Sequence, residues 1–391
     1  MMMPQPQSSH PVKTPSLLLS LVLALSVLPM QTRGEEPQVD FNKARQIFER
    51  HKRGENITAD EEAYVKRAMA AQRAAGGGGS KSAVPPKWTE HLTPLTELGT
   101  AKYKGEDGGL YGGGKNEPPK NHLEAALKES AKIRPLDAEG NPFGDGRIGL
   151  LSVGMSNTTM EYSRFKQIAD ADPAKSASVI VLDGAQGAQT ALRWADAKSP
   201  LWQKVDERMK DADLSAKQIQ VAWMKQAEAR PEQYGDFPKH AKQLQENLVK
   251  GLANLKEKFP NLRIVYLSSR IYGGYATTNL NPEPYAYEEA FAMRWLIQDQ
   301  IAGKPELNCD PAHGPVKSPL LLWGPYLWAD GETPRKADGL IYTRGDLSDK
   351  DGTHPSETAR TKVANLLLNF LKTDPMAKRW FTGESPKTSS R

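Results

Sequence analysis

The chain has one cysteine, Cys309, in 391 residues, so no intrachain disulfide can form and stability must come from a buried core. Cys309 lies in Asn308-Cys309-Asp310-Pro311, which reads as a loop, and is a weak candidate nucleophile. No long basic block or basic-aromatic stripe is present. The net charge of +5 is a small excess within 52 basic and 47 acidic residues that are well mixed, so nucleic acid is not an expected partner. Long apolar runs are also scarce. The one that stands out, residues 17–28, follows Lys13 and is short for a bilayer span. It fits the apolar region of a secretory signal over residues 1–33, with an uncleaved membrane anchor as the alternative. No clean Ala-x-Ala site follows it, and no cysteine sits beside it to accept a lipid. An extracytoplasmic protein, secreted or periplasmic, is expected, with no membrane span left after signal cleavage.

Glycine (32) and proline (29) are plentiful, which predicts long loops. Residues 34–76 read as a helical hairpin. Its helices span 40–53 and 59–75, and Thr58-Ala59-Asp60-Glu61 forms a capping box at the start of the second. Gly76-Gly77-Gly78-Gly79-Ser80 follows as a flexible break. Residues 77–144 show little periodicity and read as a Gly/Pro-rich extended segment. Within them Gly109-Leu110-Tyr111-Gly112-Gly113-Gly114-Lys115 imitates a phosphate loop. Asn116 stands where Ser or Thr is required, no buried strand precedes it, and Pro118-Pro119 oppose a following helix. It reads as a loop that would wall the main site.

From Arg147 strand and helix patterns alternate, and residues 145–385 read as the main domain. Apolar runs at 148–153, 179–182, 219–223, 264–267 and 320–323 predict buried parallel strands. Helical stretches are expected at 161–169, 188–196, 238–259, 287–301 and 357–372. The pattern predicts an α/β fold: a three-layer α/β/α sandwich around a five-stranded parallel sheet, with the helical hairpin in front. Ligands of such sheets bind beyond the carboxyl ends of the strands. Ser156 lies just past the first strand, and Asp351-Gly352-Thr353-His354 lies past the last. A serine hydroxyl needs a base to take its proton, and the base works best with a carboxylate fixing its tautomer. Asp-x-x-His can supply both from one turn. The other candidates are Arg270 and Tyr272, after the fourth strand, as substrate-binding groups. Arg270 reads equally as a loop-holding ion partner, and Tyr272, Tyr275, Trp323, Tyr326 and Trp328 as rim packing or sugar-stacking rings. The acids Asp346, Asp349 and Asp351 show no metal-ligand spacing.

Gly154-Met155-Ser156-Asn157-Thr158, with Asp351-Gly352-Thr353-His354-Pro355 far downstream, resembles the SGNH (GDSL-type) hydrolase superfamily. The resemblance implies a flavodoxin-like sheet, with Ser156 as nucleophile, His354 as general base and Asp351 as its orienting partner. It also implies that Gly187, in Leu182-Asp183-Gly184-Ala185-Gln186-Gly187, gives its N–H to the oxyanion beside that of Ser156. Two positions depart from the pattern. Met155 replaces the usual aspartate, and Lys225-Gln226 stand where the third block has an asparagine donor, leaving Lys225 or Gln226 to serve. The implied activity is a serine esterase without cofactor or metal that acts on an ester, with O-acetylated polysaccharide as the candidate substrate. The alternative is a catalytically impaired module that binds a glycan or a partner protein.

Overall fold

The computed structural model describes residues 57–75 and 87–383, with isolated positions between 40 and 55. The expected signal (1–33), the Gly-rich run (76–80) and most of the expected helix at 40–53 lie outside the described residues. The chain divides into two units, residues 1–80 and 81–391. In the first, α1 (Ala59–Ala75) begins at the expected capping box. Glu61 N–H donates to Thr58 Oγ1 at 3.2 Å, and Thr58 N–H donates back to Glu61 Oε2 at 2.9 Å. Arg50 adds a bond from its guanidinium to Glu61 Oε1 at 2.8 Å.

The second unit opens with a short antiparallel pair, β1 (Lys102–Tyr103) and β2 (Glu106–Asp107), followed by α2 (Lys120–Lys132). Then come β3 (Ile148–Gly154), α3 (Ser156–Asp170), β4 (Val179–Leu182), α4 (Ala191–Ala195) and α5 (Leu201–Asp211). They are followed by β5 (Ile219–Lys225), α6 (Lys239–Lys258), β6 (Ile264–Leu267), α7 (Tyr285–Ile301) and β7 (Leu320–Trp323). The unit closes with α8 (Glu357–Thr373) and α9 (Lys378–Thr382). Strands β3 to β7 form one parallel sheet in the order β4-β3-β5-β6-β7. Every residue of β3 and β5 is buried, because helices cover both faces: α3 packs on α8, and α6 packs on α4 and α7. The order reverses at β3, the first strand of the sheet. The crevice beyond the carboxyl ends of β3 and β5 is therefore the switch point where such sheets bind ligands. No helix among the described residues is long and apolar enough to cross a membrane.

The segment expected to be extended is more ordered than its composition suggests. Its described part packs onto the sheet unit. Trp323 Nε1–H donates to Leu110 O at 2.6 Å, and Tyr287 O–H donates to Thr93 O at 2.9 Å. Helix α2 lies within the segment expected to be extended, and its buried face is His122, Ala126 and Ser130; His122 Nε2 lies 2.8 Å from Leu321 O. The phosphate-loop mimic makes a tight turn here, with Tyr111 O receiving a bond from Gln298 Nε2 at 3.0 Å on α7. It does not wall the cavity described below.

Candidate active site

Strand β3 ends at Gly154, the chain turns at extended Met155, and Ser156 is the first residue of the fifteen-residue helix α3. The sequence pattern starts this helix at 161, because Ser156-Asn157-Thr158-Thr159 carries no apolar periodicity and Met155 is no capping residue. The first N–H groups of a helix have no intrahelical acceptor, and Met155 contributes no side-chain cap. The serine thus stands where backbone donors and the positive end of the helix dipole favour a negative oxygen. Thr158 Oγ1–H donates to Lys225 O at 2.7 Å and fastens this end of α3 to the end of β5. Ser152 Oγ–H donates to Asp183 Oδ1 at 2.6 Å, which ties the end of β4 to β3. Burial raises the Asp183 carboxyl, against the pull of the Ser152 and Thr159 hydroxyls.

Ser156 Oγ lies 2.7 Å from His354 Nε2, and His354 Nδ1 lies 2.6 Å from Asp351 Oδ2. An ionised carboxylate only accepts, so the proton on this imidazole sits on Nδ1, and Nε2 is left to accept from the serine hydroxyl. The other carboxylate oxygen, Asp351 Oδ1, accepts the backbone N–H groups of Thr353 and His354, each at 2.9 Å. Burial alone would raise the Asp351 carboxyl. The two N–H groups and the imidazole outweigh it and hold the carboxyl below its ordinary value. Gly352 makes the turn possible. Its φ is +62°, and a Cβ there would collide with the Tyr275 carbonyl. Thr277 N–H donates to Asp351 O at 2.8 Å, so the turn is fixed to the loop after β6.

These groups open onto a cavity of about 330 Å³ lined also by Asn157, Ala188, Thr190, Ala229, Leu280 and Asn281. Two lining residues, Ala188 (φ +62°) and Asn281 (φ +51°), hold left-handed backbone, a conformation that concentrates at functional sites. Arg270 also lines the cavity; it is 4% exposed, and its Nη1 donates to Asn157 Oδ1 at 3.0 Å. Asn157, Asn281 and Ala188 were not singled out by the sequence, although Asn157 directly follows the serine.

Other sequence candidates sit elsewhere. Lys225 ends β5 opposite Gly154, with its side chain on the face covered by α3. There its ammonium binds both oxygens of Glu161, at 2.6 Å to Oε1, with neither side chain exposed. Burial pushes the Lys225 ammonium down against the pull of Glu161, and nearby Arg270 lowers it further. Lys225 does not line the cavity; as an oxyanion donor it is replaced by a structural ion partner. The reason is alternation along the strand, which turns this residue beneath the helix. Gln226 is also buried, with Nε2 3.4 Å from Gln189 O. Tyr272 is 8% exposed and packs edge-on against Tyr275 and Trp328, outside the cavity lining. Trp323, Tyr326 and Trp328 are buried, and Trp328 Nε1–H donates to Glu283 Oε1 at 2.8 Å, so these rings are core and offer no stacking face. Gly187 is exposed and precedes the lining residue Ala188. A Cβ there would meet nothing within 4 Å, so sterics do not demand glycine. The close approach falls instead at Gly184, where a Cβ would lie 2.6 Å from Leu151 Cδ1 and 2.7 Å from Ser152 O. Burial pushes the Cys309 thiol up to about 11, so it stays protonated at neutral pH.

No protein-family profile matches this chain. No curated protein sequence matches it either. Among solved structures, a candidate acylhydrolase from Bacteroides fragilis superposes with a TM-score of 0.34 at 12% identity, over 66% of this chain and 96% of that one. A gut microbial diltiazem-metabolizing enzyme gives 0.33 at 14% identity, over 57% of this chain and 46% of its own. A protein from Arabidopsis thaliana gives 0.28 at 16% identity, over 54% and 67% respectively. At these identities and scores the likenesses carry no statement about substrate or reaction.

Proposed function

We propose that this chain is a serine hydrolase of SGNH type that cleaves a carboxylic ester through an acyl-enzyme on Ser156. The observation that carries the reading is the relay from Ser156 Oγ to His354 Nε2 (2.7 Å) and from His354 Nδ1 to Asp351 (2.6 Å), opening on a cavity at the sheet's switch point. His354 Nε2 takes the hydroxyl proton as Ser156 Oγ attacks the ester carbonyl. The negative charge that develops on the carbonyl oxygen meets the Ser156 N–H at the head of α3 and the Gly187 N–H. Each such donor contributes roughly 10²- to 10³-fold to turnover. As the tetrahedral adduct collapses, the C–O bond to the alcohol breaks and His354 delivers its proton to the leaving oxygen. Water then attacks the acyl-enzyme, giving one proton to His354, which returns it to Ser156 Oγ as the carboxylic acid leaves. Asp351 stays ionised throughout and holds Nδ1–H in place.

With the leader read as an export signal, the ester is met outside the cytoplasm, and O-acetyl groups on carbohydrate are the first substrates to try. A fluorophosphonate probe with peptide mapping tests the proposal. Label is expected on Ser156 in the wild type and absent in Ser156→Ala and His354→Ala. Asp351→Asn is expected to lower esterase kcat by roughly 10⁴-fold, since it disturbs the tautomer that leaves Nε2 unprotonated. A folded wild-type protein that takes no label would reject the hydrolase and favour a binding module for a glycan or a partner protein.

A further inference from the structure

Arg270 is a buried charge at the cavity that forms no ion pair with any of the described residues. The residue is 4% exposed, and among the described residues its guanidinium makes one hydrogen bond, from Nη1 to Asn157 Oδ1 at 3.0 Å. Nε is buried without a partner, Nη2 bonds to none of the described residues, and no carboxylate of the described residues lies within ion-pair distance. Of the three acids that surround it, Glu161 and Glu283 are occupied by other groups, and Glu289 is occupied through one oxygen only. Glu161 is bound to Lys225. Glu283 accepts from Gly273 N–H, Tyr287 N–H and Trp328 Nε1–H. Glu289 Oε1 accepts from Asn281 Nδ2 at 2.6 Å, and its Oε2 is left without a partner. A buried cation without an ion partner is costly, and such groups persist where something else supplies the missing charge.

Arg270 is part of the cavity wall, and no acidic residue is among the described residues that line it. Its lining combines one fixed cation with the positive end of α3, where Ser156 and Asn157 are the first two residues. An ester with a second negative group would find one buried cation in a largely apolar wall, with no acidic side chain among the described lining residues. The fork of a guanidinium also matches a carboxylate in shape, and burial strengthens the pairing.

We infer that Arg270 is a specificity-determining residue that binds a carboxylate carried by the ester substrate, so that the preferred substrates are anionic esters. This rests on the serine-hydrolase reading above. The carboxylate can belong to the acyl group or to the alcohol, and Asn157, fixed by Nη1 beside Ser156, sets the guanidinium relative to the nucleophile.

Two pairs of esters, followed by acid release in a pH-stat, distinguish the sources. On the acyl side, ethyl hydrogen succinate is compared with ethyl butyrate. On the alcohol side, 3-acetoxypropanoate is compared with 3-acetoxypropanamide. In at least one pair kcat/KM for the anionic member is expected to exceed that for the neutral one by roughly 10- to 100-fold, the range for a hydrogen bond to a charged group. In Arg270→Gln that ratio falls toward one, and Arg270→Lys restores part of it, with the change carried mainly by KM. No preference for the anionic member of either pair in the wild type overturns the inference without any variant. A ratio unchanged in a folded Arg270→Gln, with both esters slowed together, also overturns it and makes Arg270 a positioning residue for Asn157. Fluorophosphonate labelling of Ser156 in the same wild-type preparation separates the two failures. Label without charge preference rejects this inference alone, and absence of label rejects the hydrolase as well.

Discussion

Replacing Lys225 by methionine tests whether the residue at the place of a missing oxyanion donor serves chemistry or structure. In the wild type its ammonium lies 2.6 Å from Glu161 Oε1, and both side chains are wholly inaccessible to solvent. At that separation and an effective dielectric near 20 the Coulomb attraction is about 6 kcal/mol. Desolvating two ions offsets most of it, so the pair adds little net stability. Removing one partner is different, because the Glu161 carboxylate stays buried beneath α3 with no cation bound to it. Lys225→Met is therefore expected to lose about 3–5 kcal/mol of unfolding free energy. Glu161→Leu with Lys225→Met, which leaves an apolar pair in the same space, is expected to recover most of it. Urea unfolding followed by tryptophan fluorescence reads both, with the midpoint falling and the slope unchanged in the single variant. Esterase activity measured well below the unfolding range is expected to persist in the double variant. A Lys225→Met protein of wild-type stability that has lost its activity would refute this reasoning and return Lys225 to the oxyanion.

Gly352→Ala is expected to cost both stability and activity, because its positive φ and the Tyr275 carbonyl leave no room for a methyl group in the turn that sets Asp351 against His354; thermal unfolding and fluorophosphonate labelling should fall together. Gly184→Ala should destabilise by about 1–3 kcal/mol through its contacts with Leu151 and Ser152, whereas Gly187→Ala should stay within about 0.5 kcal/mol of wild type. Denaturant titration of the two variants, side by side, decides which glycine is sterically required. Burial raises the Asp374 carboxyl to about 6 from an ordinary 3.8, against the Met376 and Ala377 N–H groups. A folded-state value above the unfolded one favours the fold fully below pH 3.8 and loses that contribution as pH rises through 6. Asp374→Asn should therefore gain stability relative to wild type between pH 4 and pH 8, by about 1–2 kcal/mol after solvent screening; a pH-independent difference would refute it.

The five buried strands were legible because a parallel sheet covered on both faces needs unbroken apolar runs. The runs at 179–182, 264–267 and 320–323 coincide with β4, β6 and β7. Helices with broad apolar faces, α6 and α8, were legible for the same reason. Helix α2 and the first turn of α3 were not, because the one buries small and polar side chains and the other spends its first residues on the cavity.

Sequence by itself determined the layered α/β architecture, the ends of the strands where a ligand would sit, and the local turn in which Asp351 can reach His354. Each follows from interactions within a few residues or from a periodicity of burial. Only the tertiary structure decided which distant groups meet. It brings Ser156 against His354 from opposite ends of the unit and sends Lys225 to Glu161 beneath α3. It also leaves Arg270 against the cavity with Asn157 as its one hydrogen-bond partner among the described residues. The physical reason is that a side chain's direction at a strand end, and the charge it finds there, depend on register and on the helix packed across it. Neither is encoded in the spacing of residues along the chain.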